Sequence, residues 1–188
     1  MSKNNFTKLS IKLTNNIDKK NKKTHGIFFT PQTIINNNIE LLEPYMKNIK
    51  KVLEPSCGSC EFINLLINKY PKLDIIGIEY NKTIYNAIKD VATENIKLYN
   101  EDYLKFKSEE RFDLIIGNPP YYVMKKGEVD NEYYEYFNGR PNIFILFIVK
   151  SLKMLNTNGI LSFVLPKSFL NCLYYDKTRK HINDNYKI

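Results

Sequence analysis

The 188-residue sequence predicts a doubly wound α/β domain built on a mostly parallel sheet. Three observations carry that expectation. Short, nearly continuous apolar runs alternate with stretches of helical periodicity, the pattern of parallel strands covered on both faces. Successive strands stop at or just before a polar residue, as at Glu54, Glu79, Asp102 and Asn118. No repeat or linker-like segment interrupts the alternation.

In chain order, Thr30-Pro31 opens a helix, because proline suits the first helical turn. Residues 31–48 continue it, with apolar Ile34, Ile35, Ile39, Leu42 and Tyr45. Lys51-Val52-Leu53 is the first strand, ending at Glu54. A turn over 55–60 follows, and Phe62, Leu65 and Leu66 begin a helix that stops before Pro71. Residues 75–78 form the second strand, ending at Glu79, with a helix through about Val91. The third strand, 96–99, closes at Asp102, and the fourth, 112–116, runs into Gly117-Asn118. A long loop leads to a helix over 142–155, and 160–165 is the fifth strand, closed by Pro166. The expected architecture is Rossmann-like.

The length suits one domain, and 43% hydrophobic with 26% charged residues is a globular composition. No apolar run reaches the roughly 18 residues needed to span a bilayer. The amino-terminal residues lack the apolar core of a secretory signal, so an intracellular, cytoplasmic protein is expected. Residues 1–24 hold seven Lys against Asp18 alone, +6 of the chain's +8, leaving +2 for 25–188. This basic polar arm either lies on phosphates or is a solvated tail. Cys57 and Cys60 form a C-x-x-C, but Cys172 and His181 stand alone far downstream, so no metal site is expected.

Ligands of open α/β sheets bind outside the carboxyl ends of the strands. Glu54, Glu79, Asp102 and Asn118 would line that edge as a polar crescent. It suits a ligand with an amine, a ribose diol and an adenine amine. The turn Glu54-Pro55-Ser56-Cys57-Gly58-Ser59-Cys60 lacks the G-x-G-x-x-G spacing that lets a pyrophosphate approach the backbone. An acid at its mouth repels phosphate and attracts ammonium, so a cationic ligand such as S-adenosylmethionine is favoured.

Three segments carry a resemblance: Phe28-Phe29-Thr30-Pro31, Val52-Leu53-Glu54-Pro55-Ser56-Cys57-Gly58, and Asp113-Leu114-Ile115-Ile116-Gly117-Asn118-Pro119-Pro120-Tyr121. In this order the chain resembles the adenine-specific DNA methyltransferases of restriction–modification systems, in the gamma arrangement with cofactor motifs before the catalytic motif. The likeness runs from about Thr24 to Leu170. It implies a class I S-adenosylmethionine-dependent methyltransferase fold. Thr30 would bind the methionine carboxylate, and Glu54 with Ser56 and Gly58 would hold the methionine moiety. Glu79 would take the ribose hydroxyls, and Asp102 the cofactor's adenine amine, with Tyr103 and Phe147 beside that ring.

The resemblance also implies that Asn118, Pro119, Pro120 and Tyr121 form the catalytic motif. The Asn118 side-chain oxygen and the Pro119 carbonyl would accept hydrogen bonds from adenine's amine and aim its lone pair at the methyl group. The target base would be flipped out of the duplex, with Tyr121 stacked on it. Plainer readings stand beside these. Asn-Pro-Pro-Tyr also makes a rigid turn after a strand, Glu54 and Glu79 also cap helices, and Phe147 also serves as core. Protein glutamine methyltransferases acting on release factors, and some RNA enzymes, share Asn-Pro-Pro-Tyr.

The resembled enzymes continue past the fifth strand into a strand pair and a target-recognition domain. Residues 25–188 therefore resemble the catalytic domain without them. Three arrangements remain open: one half of a split enzyme completed by another subunit, a cofactor- or DNA-binding remnant, or a compact form. The compact form would read DNA through the basic arm and loop 122–141. That loop mixes Lys with five aromatics, suited to splayed bases, yet its acids Glu128, Asp130, Glu132 and Glu135 repel phosphate.

Overall fold

A computed structural model describes residues 5–18 and 26–188. Its strands are β1 (Lys51–Glu54), β2 (Asp74–Ile78), β3 (Ile96–Tyr99), β4 (Phe112–Gly117) and β5 (Leu155–Phe163). They form one sheet in the order β3-β2-β1-β4-β5, with every pairing parallel. The helices are α1 (Lys8–Asn16), α2 (Gln32–Leu42), α3 (Glu61–Lys69), α4 (Lys82–Ile88), α5 (Ile143–Met154) and α6 (Asp176–Asn185). The doubly wound Rossmann-like expectation is met.

Strand period 2 builds two cores from one sheet. Val52, Ile75, Leu114 and Ile116 point to one face, where they pack with Ile35 and Ile39 of α2 and Leu66 of α3. Leu53, Ile76, Ile78 and Ile115 point to the other, where α5 lies with Phe144, Leu146 and Phe147. Helix α5 is apolar almost all round because strands, the 122–141 segment and the carboxyl-terminal segment enclose it. Among the described residues no helix is long and apolar enough to cross a membrane.

Several elements differ from the sequence expectation. The helix expected over 31–48 ends at Leu42 and continues as a 3-10 turn, Glu43–Asn48. Pro44 has no N–H to extend the ladder, and its ring opposes the carbonyl of the preceding turn. β5 begins at Leu155 rather than Ile160. Leu155 pairs with Phe112 and Ile160 with Leu114, so 156–159 bulge opposite Asp113. Asn158 takes φ +63° in that bulge, and Asn156 Nδ2 donates to Asp113 Oδ1 at 2.7 Å. Beyond the elements the sequence predicts, a 3-10 turn, Leu173–Tyr175, leads into α6.

Two larger corrections concern segments read from charge. Residues 1–4 and 19–24 of the basic arm, and His25, lie outside the described residues, but 8–16 form α1. Thr7 caps it, its Oγ1 accepting from the Ser10 N–H at 3.2 Å. Leu13 and Ile17 are buried against Ile84 of α4, with Leu9, Ile27 and Phe29 around them. An amphipathic stripe thus docks a segment that charge alone marks as a tail. Loop 122–141 is folded too, with 3-10 turns Lys126–Glu128 and Asn131–Tyr136. Met124, Val129, Tyr133, Tyr136 and Phe137 are buried in the α5 core. Their apolar surface is used inside the domain, which withdraws those aromatics from any contact with splayed bases.

Candidate active site

β1 lies at the centre of the sheet, with β2 and β3 on one side and β4 and β5 on the other. The chain direction of winding reverses between β1 and β4, and a crevice opens beyond their carboxyl ends. It holds a cleft of about 350 Å³. Ser56, Gly58, Glu79, Asp102, Tyr103, Asn118, Pro120 and Phe147, all singled out by sequence, line it together. Thr30 and Glu54 line a small adjoining recess with Ser56, Gly58, Ser59 and Glu61. Pro119 is buried.

Glu54 ends β1 with its side chain inside the protein. Its Oε2 is buried without a hydrogen-bond partner among the described residues. Burial, then the neighbouring Cys60 and the nearby acids, pushes its carboxyl well above the usual range. Such a group is short of a positive partner. Glu79 follows β2 and is better served. Its Oε1 accepts from the Asn81 N–H at 2.6 Å and its Oε2 from the Gly58 N–H at 3.0 Å. Burial still lifts it to about 7, with both N–H donors opposing the rise. Asn100 Nδ2 donates to the Glu79 and Tyr80 carbonyls at 2.8 and 3.1 Å and holds that loop in place.

Beyond β3, Asp102 Oδ1 accepts from the Leu104 N–H at 3.0 Å. The Tyr103 hydroxyl sits 2.8 Å from Ser151 Oγ on α5, and its ring lies 4.9 Å from the Phe147 ring. Burial raises the Tyr103 phenol strongly. These two rings form the apolar floor of one end of the cleft.

β4 delivers Asn118 through Gly117, whose φ is +150°. A Cβ there would stand 3.3 Å from Glu54 Cγ, so glycine lets the two strand ends come together. Ser56 Oγ donates to the Asn118 carbonyl at 3.1 Å and ties the motif to the turn after β1. The Asn118 side chain is held on both ends. Its Nδ2 donates to Thr30 Oγ1 at 3.0 Å and towards the Phe28 carbonyl at 3.4 Å. Its Oδ1 accepts from the Tyr121 hydroxyl, which also contacts the Val164 carbonyl. Residues 26–30 cross the motif as a strap. A Cβ on Gly26, φ +61°, would meet the Tyr121 backbone nitrogen at 2.6 Å.

The Tyr121 ring does not line the cleft. It packs edge-on to Phe144 at 5.9 Å, beneath the motif, because its hydroxyl is drawn to Asn118 and Val164. Tyr122 lines the cleft instead, together with Tyr80 and Asn81. Sequence reasoning missed these three and Glu61. Asn81 was within reach, since an Asn before a helical run is a capping signal, and its Oδ1 accepts from the Thr83 and Ile84 N–H groups at 2.9 and 3.1 Å. Glu61 was not, because its partners Thr7 and Gln32 come from distant segments. Cys57 and Cys60 are buried beside this turn.

A family model described as Eco57I restriction-modification methylase matches residues 3–188. Modification methylase CviBIII of Paramecium bursaria Chlorella virus NC1A is 32% identical over 97% of this chain and 48% of its own length. Type II methyltransferase M.HincII of Haemophilus influenzae is 30% identical over 90% of the chain and 33% of its own length. Release factor glutamine methyltransferase of Clostridium botulinum (strain Hall) is 32% identical over 71% of the chain and 53% of its own length. The chain spans about half, or less, of the length of these relatives. A solved structure from Listeria monocytogenes, assigned to the class I S-adenosylmethionine-dependent methyltransferases, superposes with a TM-score of 0.75 at 20% identity. It covers 94% of this chain and 56% of the other, a likeness of fold.

Proposed function

The chain belongs to the Eco57I restriction-modification methylase family, and on that premise we propose that it methylates the exocyclic amine of adenine in DNA. S-adenosylmethionine is the cofactor. The residues of the cleft fit it. Glu54 would meet the cofactor's ammonium with its buried Oε2, which has no hydrogen-bond partner among the described residues. Thr30, Ser56 and Gly58 surround the same recess and would hold the rest of the methionine moiety. Each Glu79 oxygen accepts one N–H and keeps a lone pair for a ribose hydroxyl. Asp102 would accept from the adenine amine, with Tyr103 and Phe147 against the ring.

When bound, S-adenosylmethionine supplies a methyl group activated by a sulfonium. The chain's own work is orientation. Adenine's amine is a weak nucleophile because its lone pair is delocalised into the ring. Asn118 Oδ1 and the Pro119 carbonyl would accept its two hydrogens, favouring a pyramidal nitrogen with its lone pair free. Pro119 and Pro120 stiffen the backbone that aims the carbonyl. The base would reach this site flipped out of the duplex, and Tyr121 would leave its place beside Phe144 to stack on it.

The observation that carries this reading is the gathering of Glu54, Glu79, Asp102 and Asn118 around one crevice, with the Asn118 amide pinned. The release-factor relative favours a second reading, methyl transfer to a glutamine amide. Methyl-labelled cofactor, offered with unmethylated DNA or with release factor, separates the two. Label is expected in DNA, and label in the protein alone overturns the choice. Asn118→Ala should lower methyl transfer by at least about 100-fold while cofactor binding persists. Wild-type turnover in that variant refutes the acceptor role.

A further inference from the structure

We infer that Thr30 is a positioning residue for the Asn118 amide, a role separate from any contact with the cofactor. This rests on the reading of Asn118 as the acceptor of the substrate amine. An asparagine amide presents two donors on nitrogen and an acceptor on oxygen, so its catalytic value depends on which end faces the substrate. In this chain the strap decides. Asn118 Nδ2 has Thr30 Oγ1 at 3.0 Å and the Phe28 carbonyl at 3.4 Å. Turning the amide over would set Oδ1 against the Phe28 carbonyl, two acceptors without a proton between them. The nitrogen end is therefore committed to the strap, and the oxygen end faces Tyr121.

The strap is itself braced. Thr30 is buried, and Pro31 leads directly into α2. At its other end, the Gly26 backbone lies against the Tyr121 backbone. On the oxygen side, the Tyr121 hydroxyl has one proton and two carbonyl oxygens within reach, Asn118 Oδ1 and Val164 O. It releases Oδ1 for the amine either by giving its proton wholly to Val164 or when the ring swings out to the base. The side of Asn118 held by Thr30 is fixed while the side meant for the amine is exchangeable.

Thr30→Val keeps the shape and removes the acceptor, and Thr30→Ser keeps the acceptor. In the full chain, the Asn118 side-chain NH₂ is followed by ¹⁵N–¹H NMR, its signals identified by their loss in Asn118→Ala. Both protons should exchange slowly in the wild type and Thr30→Ser, and at least one should lose that protection in Thr30→Val. In turnover at saturating S-adenosylmethionine, Thr30→Val should lower kcat about 10- to 100-fold, and Thr30→Ser should recover most of it. Unchanged Asn118 signals in Thr30→Val, with kcat at saturating cofactor also unchanged, would overturn the inference and leave Thr30 a cofactor contact only. If Thr30→Val does not fold, Thr30→Ala takes its place in both measurements. A wild-type chain that methylates no DNA counts against the proposed function, while the NMR comparison still decides the role of Thr30.

Discussion

Taking the protein from pH 8 to pH 6 in a calorimeter moves Glu79 from mostly ionised to mostly protonated, because burial has raised its carboxyl to about 7. Its two oxygens already accept N–H bonds from Asn81 and Gly58. Only the ionised form has acceptor capacity left for both ribose hydroxyls. Binding of S-adenosylmethionine should then follow the ionised fraction and weaken about tenfold between pH 8 and pH 6. Glu54 is raised by burial as well and adds a slope of its own, so the comparison is with Glu79→Gln. The wild type should lose about tenfold more affinity over that interval than the variant. It should also release about one more proton on binding near pH 6, read from calorimetry in two buffers of different ionisation enthalpy. Equal slopes and equal proton release in the two proteins would refute the reasoning. The same shift acts on the free protein. Its folded value lies above the ordinary 4.5, so the folded chain holds the proton more tightly than the unfolded chain. Glu79's contribution to stability is therefore greatest below pH 4.5 and falls as pH rises towards 7. Above that it is lower by on the order of 3 kcal/mol.

Two further changes test how the amino-terminal segments are built into the domain. Gly26→Ala places a Cβ 2.6 Å from the Tyr121 nitrogen at φ +61°. It should destabilise the fold by about 1–2 kcal/mol from the left-handed backbone alone, with the clash in addition, and a urea midpoint equal to wild type would contradict the close approach. Leu13→Ala removes a buried side chain between α1 and α4 and should cost about 2–5 kcal/mol in urea unfolding. No loss would mean that α1 is not part of the cooperative unit.

The strands, their order of appearance and the polar residues at their ends were legible without coordinates. Val52-Leu53, Ile75-Ile76 and Leu114-Ile115 are apolar on both faces because both faces are covered, and a strand's end is a local event marked by a change of residue type. The 3-10 turn at Pro44 was also written locally and was overlooked. Segments whose structure depends on distant partners were not legible. The α1 stripe of Leu13 and Ile17 needs Ile84, and the tyrosines of 122–141 need α5, so composition read one as a tail and the other as an open loop.

The site divides in the same way. Sequence by itself determined that the strand-end residues gather at the crevice, since Glu54, Glu79, Asp102 and Asn118 follow successive parallel strands whose carboxyl ends share one edge. Only the tertiary structure decided how those side chains are turned. Asn118 meets Thr30 across 88 positions of chain, and Tyr121 turns down to Phe144 and Val164 rather than into the cleft. Hydrogen bonds of that span form only where the strap, β4 and β5 are packed together, and no local pattern records where a distant segment will cross.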